Sequence, residues 1–151
     1  MGNSQYLAFS HDAAWLDSEN QWNFVEFEAS KYFSFGATRY AKQRVLALNA
    51  WTGYSPSWSV ESSEDGELII ANKPPFLEGA TLGGFYRMRG FRQNRFHDKA
   101  AVYATAEYRY TLQYNPIEGI EWLSFLNLDW IQAVLFVEGG RVAPSYSSDV
   151  L

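Results

Sequence analysis

The sequence predicts an all-β, antiparallel fold. Three observations carry it: polarity alternates along several segments, helical spacing is poor, and aromatic residues reach 18% of the chain. From Trp22 to Phe35 one parity holds Val25, Phe27, Ala29, Phe33 and Phe35, with Lys31 its one charge. The other parity holds Glu26, Glu28, Ser30, Tyr32 and Ser34, so the segment reads as a strand with one apolar and one wet face. A weaker strand precedes it at 5–12. "GATRYAKQ" (36–43) reads as a turn and "RVLALNAWTG" as a strand near 43–53.

Residues 54–99 read as one long loop, rich in Ser, Glu, Gly and Pro in its first part. The cleanest alternation follows at 100–113. There Tyr103, Thr105, Glu107, Arg109, Thr111 and Gln113 oppose Val102, Ala104, Ala106, Tyr108, Tyr110 and Leu112. After the turn signals of "YNPIEGIE", a fifth strand is expected near 124–138. Several of these strands exceed the usual 5–6 residues of soluble sheets and match the roughly 9–11 needed to span a bilayer. Short connections alternate with a very long one, as in outer-membrane barrels. A soluble barrel or sandwich with one long loop satisfies the same alternation, and both readings stand at this point.

Composition excludes several classes. The net charge is −5, so no global field attracts nucleic acid or anionic lipid. Cysteine is absent, which removes disulfides and thiolate metal sites. A mean hydropathy of −0.29 does not separate soluble chains from membrane barrels, whose lumen residues dilute every strand. No run approaches the roughly 20 apolar residues of a transmembrane helix. "MGNSQYLAFSHDAAW" shows no basic region followed by a long apolar run, so no signal peptide is expected within it.

The unusual stretch is "GGFYRMRGFRQNRF" (83–96), with four arginines, four aromatics and three glycines. "RGFRQNRF" opens and closes like an RNA-binding strand motif, but Arg92, Gln93 and Asn94 stand where small, aromatic and β-branched residues are needed. No Gly-Lys-Ser/Thr completes a phosphate loop. A third use is internal. Parity puts Glu107 on the polar face of the strand after this loop, and Glu138 lies on the strand after that. An arginine folded back from the loop would meet both carboxylates by charge-assisted hydrogen bonds. Gly83, Gly84 and Gly90 would let the backbone turn sharply inward.

"MRGF" (88–91) resembles the Val/Ile/Leu-Arg-Gly-Phe/Tyr signature of the BamA/TamA bacterial surface antigen family. The upstream "LGG", the strand containing "AEYRY" and the Phe-x-acid-x-Gly of "FVEGG" follow in that family's order. The resemblance implies an antiparallel transmembrane β-barrel, of which this chain supplies about five strands, incomplete at both ends. It implies that Arg89, Gly90 and Phe91 form a loop motif that folds into the barrel. Glu107 would be the acid on the next strand, and Phe136, Glu138 and Gly140 the receiving motif. Met88 replaces a β-branched or leucine residue and Glu138 the usual Asp.

The implied function is protein insertion, assembly or translocation at the bacterial outer membrane. Its partners would be the lipid bilayer, unfolded outer-membrane protein substrates and periplasmic assembly partners, without nucleic acid. The same barrel type follows patatin-like phospholipase domains and serves two-partner secretion, and a soluble ligand-binding barrel is the further alternative. The periodic chemistry offers no enzyme, metal or cofactor site. His11 and His97 are far apart in sequence and both near inferred loops, and "SHD" (10–12) alternates across a strand, so its residues do not converge. "SSEDGE" (62–67) lacks calcium-loop spacing and reads as a solvated loop tip. Glu26 and Glu28 share a face and read as lumen residues, while Arg87, Arg92 and Arg95 have no assigned partner.

Overall fold

In a computed structural model of the chain, the described residues are 2–13, 21–62, 65–117, 119–121, 125 and 128–145. They form antiparallel sheets without an α-helix. Five long strands make the main sheet: β1 (Gly2–Asp12), β2 (Trp22–Ser34), β3 (Ala41–Tyr54), β8 (Ala100–Leu112) and β9 (Gln132–Ala143). Their order is β1-β2-β3-β8-β9, so β1 and β9 occupy the edges of an open sheet.

Two expectations are corrected here. The fifth strand begins at Gln132, not near 124, and runs on to Ala143. Residues 128–131 lie outside any strand, and 122–124 lie outside the described residues. The segment 54–99 is not a plain loop either, because it carries four short strands. β4 (Ser59–Ser62) pairs with β5 (Leu68–Ala71) as an antiparallel hairpin. The tip of that hairpin includes Asp65 and Gly66, part of the expected loop tip at 62–67; residues 63–64 lie outside the described set. β6 (Thr81–Leu82) pairs with β7 (Phe96–His97), with Leu82 opposite Phe96.

The chain divides into two compact units. The first comprises Met1–Ser4, Ser30–Asn49 and Thr105–Val137. Polar side chains pair with one another in it. Asn49 Nδ2 donates to Ser30 Oγ (2.8 Å), Gln132 Nε2 to Thr111 Oγ1 (3.0 Å), and Arg109 Nη2 to Glu107 Oε2 (2.6 Å).

The second unit comprises Gln5–Ala29, Ala50–Ala104 and Glu138–Leu151. Here the parity read as wet becomes a core. Trp22, Phe24, Trp51, Tyr103, Ala101, Ala80 and Leu82 form one buried cluster, with Met88, Phe96 and Val142 packed against it. Trp22 and Phe24 sit on the same parity as Glu26, and Tyr103 on that of Glu107, so alternation alone would have left these rings in water. They are dry because the β6–β7 segment lies over them. Leu82, from that segment, is 1% exposed. Burying a side chain of this kind contributes about 1.5–3 kcal/mol. The two indoles of this cluster satisfy their N–H groups on acids: Trp51 Nε1 donates to Glu26 Oε2 (2.9 Å) and Trp22 Nε1 to Asp12 Oδ2 (3.1 Å).

Candidate functional site

The site is the loop 83–95 in the second unit and the strand residues that receive it. The loop shapes itself first. Gly83 N–H donates to Arg87 O (2.9 Å), Gly84 N–H to Phe91 O (3.1 Å) and Phe91 N–H to Met88 O (3.0 Å). These bonds need backbone that most residues avoid. Gly83 has φ +115° and Gly84 φ +104°. A Cβ at Gly83 would lie 2.3 Å from Arg92 O, and one at Gly84 would lie 2.0 Å from Gln93 Oε1. Gly90 is different, and the expectation for it is corrected: its φ is not positive and a Cβ there meets nothing within 4 Å. The turn is made by Met88 instead, at φ +65°. A left-handed non-glycine residue costs about 1–3 kcal/mol and persists only where the surroundings fix it. Met88 is fixed by packing against the aromatic cluster.

That turn delivers Arg89 to β9. The Arg89 backbone N–H donates to Glu138 Oε1, and its Nε donates to Glu138 Oε2 (3.2 Å). Tyr103 on β8 donates its hydroxyl to the same Oε2 (2.9 Å). The Glu138 side chain is only 9% exposed, so its charge depends on these donors in place of water. Gly140, two residues on, makes the approach possible. A Cβ there would lie 2.8 Å from Leu82 Cδ1 and 2.9 Å from Val102 O. Within the second unit, Arg89, Glu138 and Gly140 of the sequence-predicted set meet. Glu107 and Phe136 fall in the first unit, where Arg109 donates to Glu107. Phe91 packs edge-on against Phe96, with ring centroids 5.0 Å apart.

Two contributors escaped the sequence reading. Tyr103 shares Glu107's parity, and that was the signal available for it. Arg87 had no sequence signal separating it from Arg92 and Arg95. Its guanidinium lies 3.9 Å from the centroid of the Trp51 ring and 3.9 and 3.8 Å from Glu26 Oε2 and Glu28 Oε2. Burial lowers its pKa from the ordinary arginine value, and Glu26 and Glu28 oppose that shift. Arg92 and Arg95 are exposed.

The histidines take structural places. His11 Nδ1–H donates to Asn23 Oδ1 (2.7 Å). His97 on β7 packs against Trp58 and Phe76, each at a ring-centroid distance of 5.2 Å. Its Nε2 is buried without a hydrogen-bond partner among the described residues. Burial first, then Lys73, lowers the His97 pKa below the ordinary 6.5, and Asp98 opposes them. The folded state thus prefers the neutral ring. Its contribution to stability is complete above the unfolded value of 6.5 and is lost as pH falls from there toward the folded value. Limited proteolysis of the 55–99 segment should therefore accelerate between about pH 7 and pH 5.5. In His97→Phe this acceleration should disappear. Among the described residues no cluster of three His, Asp or Glu is placed to hold a metal.

No protein-family model, curated protein or solved structure matches this chain.

Proposed function

We propose that this chain forms consecutive strands of a transmembrane antiparallel β-barrel in the bacterial outer membrane, of the BamA/TamA type. Its activity in this reading is the insertion, assembly or translocation of proteins, with no catalytic step. The observation that carries it is the Arg89–Glu138 ion pair, joined by Tyr103, on the inward parity of β8 and β9. An apolar core has no need of such a pair, and removing either partner leaves a charge poorly solvated. A loop that must fold back through a polar lumen does need one.

The outward parity supports the same reading. Phe27, Leu48, Leu135 and Val137 stand on it at 41%, 38%, 76% and 70% exposure. Apolar side chains presented this way along neighbouring strands call for a cover, and hydrocarbon is the cover a barrel strand takes. Lys42 and Arg44 on that parity lie near the start of β3, and Arg141 near the end of β9, where long cations reach the interface. Exposed aromatic residues gather in the 35–40 and 113–131 connections, with Tyr40 66%, Tyr114 76% and Trp130 58% exposed, as in an interfacial girdle. The partners are then the lipid bilayer, unfolded outer-membrane protein substrates and periplasmic assembly factors.

Membrane fractionation of the full-length protein tests this. Detergent-dependent extraction from outer membranes, with a folded band that shifts on heating, is expected. A monomer that stays soluble without detergent overturns it and favours a soluble ligand-binding barrel.

A further inference from the structure

The loop touches the sheet twice, and the two contacts fall on different strands. Arg89 reaches Glu138 on β9, beside Tyr103 of β8. Arg87 reaches Trp51 on β3, and Glu26 and Glu28 on β2. In the sheet order β2-β3-β8-β9 these strands are four consecutive neighbours. One residue, Met88, separates the two arginines. In an extended chain, residues two apart point the same way. The left-handed backbone at Met88 breaks that rule and lets the side chains diverge.

Resting on the reading above, in which the Arg89–Glu138 pair latches the loop to β9, we propose that Arg87 is a second anchor of the loop. It holds the loop to β2 and β3 as Arg89 holds it to β9. Together the two arginines strap four neighbouring strands across their inward face within the second unit. The chemistry of the two ends differs. Arg89 makes directed hydrogen bonds to one buried carboxylate. The Arg87 guanidinium carbon lies over an indole with two carboxylates at 3.8–3.9 Å, an arrangement of cation–π contact and charge rather than of short hydrogen bonds. The indole is itself held in place, because its Nε1–H donates to Glu26. Arg87 is thus a positioning residue acting through Trp51 and Glu26.

The test uses the full-length protein in membranes and reads protease cleavage within the 83–95 loop. Arg87→Met keeps the length but removes charge and planarity, and should raise the cleavage rate about tenfold, the scale of one desolvated cation–π contact. Arg87→Lys retains a cation over Trp51 and should recover part of the protection, whereas Arg87→Gln should not. Glu26→Gln with Glu28→Gln should reproduce most of the Arg87→Met effect without altering the loop sequence. Wild-type cleavage in Arg87→Met overturns the second anchor. Equal loss in Arg87→Lys and Arg87→Met also overturns it, since the cation would then contribute nothing. Arg89→Ala, run alongside, separates this failure from that of the latch itself. If Arg89→Ala opens the loop while Arg87→Met does not, the latch stands with one anchor. If neither opens it, the latch reading falls as well.

Discussion

Arg89→Ala is expected to weaken docking of the loop by about 1.5–3 kcal/mol, the scale of a hydrogen bond to a charged group in a half-buried pair. The reason lies with Glu138. Its carboxylate is 9% exposed and takes the Arg89 Nε, the Arg89 backbone N–H and the Tyr103 hydroxyl. Without the guanidinium, a charge remains against an aromatic cluster with one side-chain donor and one backbone donor. Glu138→Gln should cost less than Arg89→Ala, because it removes the charge together with the need to neutralise it. Loss of the folded, heat-modifiable band or a lowered unfolding temperature would register both effects. Equal damage from the two substitutions would mean that the charge itself is not what the site holds.

Gly83→Ala should be as severe by an unrelated route. At φ +115° an L-residue is strained by about 1–3 kcal/mol. The added Cβ also meets backbone, Arg92 O at 2.3 Å and Arg95 N at 2.8 Å, which no rotamer change relieves. Forced overpacking of this kind adds about 1–3 kcal/mol. Gly90→Ala is the matched control within the same motif. It has ordinary φ and open space, so a stability change within about 0.5 kcal/mol is expected. Thermal unfolding of the two variants side by side checks the pair. If Gly90→Ala were the damaging one, the loop geometry described here would be wrong.

Much of this site was legible before any coordinates, and the reasons are local. Alternation marked β2, β3 and β8 because each runs 13 or 14 residues with one wet parity, long enough for a period of two to show. The order of Arg89, Glu107, Glu138 and Gly140 was read as one site, and within the second unit Arg89, Glu138 and Gly140 meet. Legibility failed where the cause was tertiary. β9 was placed too early because the apolar-rich run from Leu123 onward carries no phase that marks a start. β4 to β7 have two to four residues each, too few to show any period. Trp22, Phe24 and Tyr103 lie on a parity that also carries acids, so only the covering loop reveals them as core. Gly90 looked like a hinge because it is a glycine beside an arginine. The bend is at Met88, a position that composition gives no reason to suspect. Arg87 was invisible for the same reason: its partners come from β2 and β3, far away in sequence.

The central claim is that the arginine loop turns inward and is pinned to β9. An experimental structure of the full-length protein in lipid nanodiscs tests it most directly, at a resolution that shows side chains. The account predicts Arg89 Nε within hydrogen-bond reach of Glu138 Oε2, near the 3.2 Å seen here, with the Tyr103 hydroxyl on the same oxygen. A loop projecting away from the sheet, with Glu138 paired elsewhere or open to solvent, would contradict it.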